Sequence, residues 1–425
     1  MSTDWEFSEL GKEAINASRP FSFKQHPKVI FVNTGDVLDG KFLHAAISTG
    51  SDLPGQAKKA LKINDILLTE IRPGNGRFAF VNFEPDEYVV STKFMVIESK
   101  GRVSPRFLYH VLTNQFALNE FQRIAESRSG TFPQVTFDSI SHYPVPVPPI
   151  SQQEELVIFL DTLDNRITLL RETNTLLEQI AQTLFKSWFV DFDPVRAKQE
   201  GRIPEGMDED TAALFPDSFE ESELGMVPRG WRYSTVGESF ILTMGQSPPG
   251  DTYNQIGEGL PFYQGRTDFG FRFPSQRVFC TAPSRMARKG DTLVSVRAPV
   301  GDVNMAMEEC CLGRGVAGIR HPEGLRSFAF YSTRGLRDRF DLFDSEGTVF
   351  GSINKKDFQA LPIVHPPSDV LHAFEDITSP IDHRIIVNEG VIRTLTDLRD
   401  TLLPRLISGK LRLPEAEDMI QEAVS

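Results

Sequence analysis

The phrase GTFPQVTFDSISHYPVPVPP, residues 130–149, returns as GTVFGSINKKDFQALPIVHPP at 347–367. Both run from Gly-Thr through a Phe to a close on Pro-Pro. The echo extends further. Trp5, Ser8 and Gly11 (WEFSELG) match Trp231, Ser234 and Gly237 (WRYSTVG) at an offset of 226. NDILLTEIRPGNG, from Asn64, matches GDTLVSVRAPVG, from Gly290, near that offset. Phe132 aligns with Phe350, Pro148 with Pro366, and LDNRI (163–167) with IDHRI (381–385), all at an offset of 218. Order and offset kept over so many points mark a duplicated unit whose loops have diverged. The chain has to fold as two versions of one plan.

Each version has two textures. In the first, short β-like runs (VIFVN, DILLTEI, FAFVNF, YVVST, FMVIE) alternate with Gly, Pro and Asn, which predicts a compact α+β globule. A helical stretch near 107–124 is embedded there, with apolar spacing of three and four. The exits YPVPVPP and LPIVHPP suit neither a helix nor a central strand and read as stiff connectors.

The second texture is a long helix. From Ser151 the apolar positions are Leu156, Leu160, Leu163, Ile167, Leu170, Leu177, Leu184 and Trp188, with Asn174 and Ala181 filling the gaps. That alternation of four and three is a coiled-coil seam, in which a single buried Asn fixes register or partner choice. The second copy gives Phe374, Ile377, Ile381, Ile385, Ile392, Leu395, Leu398, Leu402 and Leu406, less regularly and with Gly390 inside it. A narrow seam cannot bury itself. The duplication favours pairing within one chain, with packing on the helix's own globule or a homodimeric coiled coil as the alternatives. The expected fold is α+β, with two α+β globules separated by two long helices that form an intramolecular antiparallel coiled coil, a pseudo-two-fold internal repeat. The boundaries are a first globule at 1–150, a helical region at 151–195, an acidic linker at 196–225, a second globule at 226–368, a second helical region at 369–412 and a tail at 413–425.

The net charge of −13 speaks at first against a nucleic-acid partner, so its distribution matters. Residues 196–225 hold three basic and nine acidic side chains, whereas 226–368 hold 17 basic and 14 acidic ones. The second globule is mildly basic, and DNA is not excluded. Cys280, Cys310 and Cys311 form neither a disulfide framework nor a zinc spacing, and the eight histidines are scattered. No metal is expected. No apolar run approaches the ~20 residues of a membrane helix, and MSTDWEFSEL lacks the regions of a signal peptide, so the cytoplasm is the expected compartment.

Two like globules on a rigid rod form a caliper, and duplex DNA offers two features a fixed distance apart. The stretches LFKSWFVDFDPVRAK (184–198), LFPDSFEESELGMVPRGW (214–231) and LLPRLISGKL (402–411) resemble hallmark segments of type I restriction–modification specificity subunits. So do PFYQG (261–265), SVRAPVGDVN (295–304) and GTVFGSINKKDF (347–358). The resemblance covers essentially the whole chain in the family's order. It implies that the globules are target-recognition domains, each reading half of an asymmetric, bipartite DNA site, with the helices setting the gap. It further implies docking of two methyltransferase subunits, which use S-adenosylmethionine to modify adenine at N6. Restriction (motor-nuclease) subunits, dependent on ATP and Mg, then join them. The specificity subunit itself is implied to be non-catalytic and to hold no cofactor. The alternative from another class is a coiled-coil adaptor whose two heads bind protein and no DNA.

Catalytic signatures do not gather. LGRGVAG (312–318) contains a GxGxxG, but Pro322 breaks any following helix, so a turn between strands is expected. DFDP (191–194) lacks the second proline and the aromatic of an amino-methyltransferase motif. FPDSFEES (215–222) lacks a nuclease lysine. Major-groove readout favours Arg on guanine and Asn or Gln on adenine, and Lys and Arg hold phosphates. The candidates for DNA contact are Asn33, Thr34, Arg72, Asn75, Arg77, Lys93, Arg128 and Gln134 in the first globule. In the second they are Gln264, Arg266, Arg297, Arg314, Ser352, Asn354, Lys355 and Lys356. Asn33-Thr34-Gly35 is matched with Tyr263-Gln264-Gly265 as a shared loop. Arg72 and Arg297 are read as recurring after the same strand, to hold phosphate, read a base or make a structural ion pair. Phe132 and Phe350 are assigned to the core.

Overall fold

The computed structural model describes residues 5–128, 132–222, 225–345 and 351–424. Residues 130–131 and 347–350 of the repeated phrase, Phe350 among them, lie outside the described residues. Backbone contacts divide the chain into a first unit, Met1–Arg171 with Glu389–Ser425, and a second, Glu172–Asn388. Each unit thus takes part of both long helices.

In the first unit a four-stranded antiparallel sheet runs in the order Ala14–Asn16, Phe94–Ser99, Ile66–Thr69, Phe78–Phe80. The second unit repeats that order with Ile241–Met244, Val316–Arg320, Thr292–Val296 and Val300–Met305. Ile66–Thr69 and Thr292–Val296 are buried throughout, because each has a neighbour on both edges, and their near-continuous apolar character follows from that. Just before each strand stands a buried aspartate. Asp65 and Asp291 each accept a backbone N–H from three residues upstream at 2.7 Å, and each takes an arginine, Arg19 and Arg320 respectively. A second sheet in each unit contains one parallel pair, Lys28–Val32 beside Tyr88–Ser91 and Leu260–Tyr263 beside Cys310–Leu312. The proline-rich exits are edge strands rather than free connectors. Pro144–Val147 pairs with Glu6–Glu9, and Pro362–His365 with Arg232–Thr235. An edge tolerates proline because one side of the strand needs no donor.

The helical stretch expected near 107–124 is two helices, Pro105–Thr113 and Gln115–Arg128. Asn114 divides them, since its side-chain oxygen accepts the Ala117 N–H at 3.0 Å and caps the second helix. Residues 196–222, expected as a linker, are anchored to the lobe. Phe215 is buried against Trp188 and Trp231, and Phe219–Ser222 pairs with Gly225–Pro228. The terminal segment expected as a tail is the helix Leu413–Val424, with Ala416 buried.

The long helices, Ile150–Phe189 and Ser368–Ile407, have 40 residues each, about 60 Å of rod. In the first unit Leu163, Ile167, Leu170, Ile392 and Leu395 share one buried cluster, while Leu156, Leu160, Leu402 and Leu406 join the core of the α+β lobe. In the second unit Asn388 Nδ2 donates to Asn174 Oδ1 at 2.8 Å, both residues buried. There Ala181, Phe185, Trp188 and Phe374 pack with Phe328 and Tyr331 of the lobe. Ile385 is buried, but Ile377 is 43 % exposed and Thr378 takes its place inside. Leu177, Leu184, Ile381 and Leu398 are half-buried. The pattern slips by one residue because Glu178 and Asp382 turn inward to bind Arg272.

Candidate nucleic-acid interface

In the second unit, backbone hydrogen bonds bring distant loops to one edge. Gly315 N donates to Gln264 O at 3.1 Å, Val296 N to Gly315 O at 2.9 Å, and Ile353 N to Val296 O at 3.1 Å. Arg297 bridges Ser352 in the same row. A Cβ on Gly315 would stand 2.3 Å from Gln264 O, so the glycines of LGRGVAG permit strand contact. That segment is a turn between Cys310–Leu312 and Val316–Arg320, as expected. Gln264, Arg297, Arg314 and Ser352 are all exposed there. Arg314 Nε donates to Ser247 Oγ at 3.2 Å. Asn354 caps the helix Lys355–Gln359 by accepting the Asp357 N–H at 3.0 Å, with Lys355 and Lys356 exposed in its first turn.

The first unit builds a corresponding edge. Glu70 N donates to Lys93 O at 2.9 Å, Val135 N to Glu70 O at 2.7 Å, and Arg72 N to Pro133 O at 3.1 Å. Arg72 and Asn75 are exposed beside it, and Thr34 and Lys93 are half-buried. Several candidates are committed to the loops themselves. Asn33 Oδ1 accepts the Thr34 N–H at 2.8 Å. Arg77 Nη1 donates to Gly35 O at 3.1 Å and Val37 O at 2.9 Å. Gln134 Nε2 donates to Glu70 Oε2 at 3.0 Å. The Arg128 side chain lies outside the described residues. Phe132 is not in the core as expected but 53 % exposed, because its neighbours Pro133 and Val135 take the inward positions.

Hydrogen bonding also fixes how the two edges correspond. Arg72 N donates to Pro133 O and Ala298 N to Gly351 O, while Ile71 bridges Gln134 as Arg297 bridges Ser352. Arg72 therefore corresponds to Ala298 and Arg297 to Ile71, so the two arginines do not recur at one position. Among the described residues, no side-chain ion pair is found for either. The loop pairing shifts likewise. Asn33 and Gly265 occupy the same cap before short 3₁₀ turns, Thr34–Asp36 and Arg266–Asp268, so Asn33 matches Gly265 rather than Tyr263. Sequence reasoning missed Asp302, which pairs with Arg266, and Arg337, which pairs with Asp302. Asp302 Oδ2 lies 2.9 Å from Arg266 Nη1, and its Oδ1 3.0 Å from Arg337 Nη1. No sequence signal marked them: only the sheet register puts Asp302 in the place of Arg77.

The family model for the type I restriction modification DNA specificity domain matches residues 3–179. The HindI specificity subunit of Haemophilus influenzae is 36% identical, over 96% of this chain and all of that protein. The chain belongs to the type I restriction enzyme specificity subunits. A putative type I restriction enzyme specificity subunit, MjaX, of Methanocaldococcus jannaschii is 28% identical over 96% of this chain and 94% of its own. The crystal structure of the S subunit of the type I restriction–modification system from M. genitalium shares the fold, with a TM-score of 0.57 at 14% identity over 95% of this chain and 96% of that one. As a specificity subunit, the chain serves DNA sequence specificity. Its buried Cys310 is no ready nucleophile, since burial pushes the thiol up to about 12. No helix among the described residues is long and apolar enough to cross a membrane.

Proposed function

We propose that this specificity subunit reads an asymmetric, bipartite duplex DNA site, one half with each α+β lobe. The observation that carries the proposal is a repeated frame with unlike side chains at the same loop positions. Arg72 stands for Ala298, Ile71 for Arg297, Arg77 for Asp302 and Thr34 for Arg266. A kept backbone with exchanged loop chemistry suits two half-sites of different sequence. The proposed direct contacts are Arg72 and Asn75 in the first lobe and Gln264, Arg297, Arg314, Ser352, Lys355 and Lys356 in the second. The long helices act as an intramolecular antiparallel coiled coil whose length sets the gap between half-sites. The pairing of Asn174 with Asn388 and the shared cluster around Ile167 and Ile392 support that reading. Two methyltransferase subunits dock along the helices, and the exposed Leu176 and Ile180 of Ile150–Phe189 are the proposed docking residues. Restriction subunits join that assembly. S-adenosylmethionine, ATP and Mg belong to those partners, and this chain is non-catalytic.

Sequencing of N6-methyladenine in a host carrying the system tests the split site: a single, ungapped motif would contradict it. At the residue level, Arg297 has no counterpart in the other lobe, so it suits base reading better than phosphate holding. Arg297→Ala should cost about 1–3 kcal/mol at one base position of one half-site. A uniform loss on every duplex would assign it to phosphate instead.

A further inference from the structure

Each unit has a polar cleft where the two lobe helices meet a long helix and the tip of the central hairpin. The cleft of the first unit has a volume of about 630 Å³ and includes Gly76, Gln115 and Asp400. The cleft of the second, about 420 Å³, includes Gly301, Arg337 and Gln182. The two are equivalent. Gly76 and Gly301 are the matching hairpin glycines, at φ 69° and 94°. Gln115 and Arg337 each open the second lobe helix, and Gln182 and Asp400 are 218 positions apart.

Their ion pairs differ, although cations line both, Lys41, Arg106 and Arg171 among them in the first unit. In the first unit one guanidinium is held by two carboxylates: Arg399 Nη1 lies 2.9 Å from Asp164 and its Nη2 2.8 Å from Asp400. In the second unit one carboxylate is held by two guanidinium groups, Asp302 between Arg266 and Arg337 at 2.9 and 3.0 Å. Arg334 also lines that cleft but is committed to Glu178, and Arg337 is shared with Asp341, 2.8 Å from its Nε. The arginine side chains on Asp302 are 53 % and 47 % exposed, and exposed pairs of this kind do little for stability and open readily. A convergence of guanidinium groups on one small acid, within a chain of net charge −13, has the geometry of an anion site with a side-chain carboxylate occupying the anion position.

We infer that the cleft of the second unit holds a DNA backbone phosphate between Arg266 and Arg337, with Asp302 as the group the phosphate displaces. This rests on the DNA-reading function proposed above.

The test is salt-dependent binding of the subunit, assembled with its methyltransferase subunits, to a duplex carrying the methylated motif and to a scrambled duplex. Arg337→Gln should lower the magnitude of the slope of log K against log salt by about 1, equally on both duplexes. Arg337→Lys should keep the slope. Asp302→Asn should strengthen binding to both duplexes, and Arg399→Gln should leave the slope unchanged. An unchanged slope in Arg337→Gln, or weaker binding in Asp302→Asn, would overturn the assignment. So would an Arg337→Gln defect confined to assembly with the methyltransferase subunits, which would make the cleft a protein-docking site. Absence of motif preference in the unsubstituted assembly would instead strike at the bipartite reading itself.

Discussion

The two units build the same four-stranded antiparallel sheet in the same order, yet they settle the charges between lobe and helices by different means. Asp164 and Asp382, the aspartates of LDNRI and IDHRI, occupy matching places on the long helices. In the first unit Asp164 is paired with Arg399, and a separate arginine, Arg106, lies 4.7 Å from the centre of the Tyr109 ring and binds Asp161. In the second unit Asp382 is paired with Arg272, which lies 4.0 Å from the centre of the Phe330 ring, donates to the Tyr331 hydroxyl at 2.9 Å and also binds Glu178. The middle of the helices differs in the same way. The polar pair Asn174 and Asn388 of the second unit maps, through the offset of 218, onto Ile392 and Leu170 of the first, which share an apolar cluster. Backbone ladders and apolar cores are what duplication has kept. Ion pairs, which need only local compensation, have been free to move between elements.

The largest effect that would sharpen this contrast is at Arg272. Its side chain is 1 % exposed, and Arg272→Ala leaves buried Asp382 without its cation and Glu178 with Arg334 alone, so the second unit should lose about 3–5 kcal/mol. Arg106→Ala in the first unit, where the side chain is 30 % exposed, should cost only about 1 kcal/mol. Denaturant unfolding followed by hydrogen exchange in each unit measures both. Equal losses would mean that the two arginines are equally buried in practice, and the contrast would fail. A replacement of Arg272, Glu178 and Asp382 together by apolar residues should recover most of the loss, because the desolvation of all three disappears with them.

The next effect is at the asparagine pair. Asn388→Leu leaves the Asn174 amide with one buried partner fewer, at about 1–3 kcal/mol. The double change Asn174→Leu with Asn388→Leu copies the first unit's solution and should be near neutral for folding. Thermal unfolding of the single and double variants checks this, and additive losses would show that the pair is not one interaction.

Much of this architecture was legible in the sequence. The offsets of 226 and 218 predicted the duplicated frame, and the three-and-four spacing predicted the long helices, because both signals come from many weak constraints that agree. The family resemblance was equally plain in its six stretches. What could not be read was one-residue detail. Aligning Arg72 with Arg297 placed arginine on arginine, whereas the hydrogen bonds place Ala298 opposite Arg72. Ile377 fits the spacing by type, yet Thr378 is inside, because Glu178 and Asp382 turn toward Arg272, 94 positions from the first and 110 from the second. Asn33 and Asn354 have the residue type of an adenine reader and serve as caps, since the same amide suits both tasks. Long-range partners decide such cases, and periodicity carries no record of them.

The smallest predicted effect separates the units by acidity. His321 is buried against Phe240 and Phe328, and its Nδ1 accepts the Glu323 N–H at 3.2 Å. Burial holds its pKa below the ordinary imidazole value, and burial does the same for the half-buried His365. A histidine with a depressed folded-state pKa contributes stability that is complete above its unfolded value of about 6.5 and is lost as the pH falls through the folded value. In the first unit the corresponding titration lies lower. Burial raises Asp161, but hydrogen bonds from His110 and Arg106 outweigh it and leave the carboxyl below its usual range. Its contribution is complete above about 3.9 and fades only beneath that. On acidification the second unit should therefore loosen first, seen as faster hydrogen exchange in its core strands near Phe328 while those near Met95 stay protected. His321→Phe keeps the aromatic packing and removes the titration, so it should shrink that gap. If the two units lost protection together in the unsubstituted protein, the histidines would not be what distinguishes them.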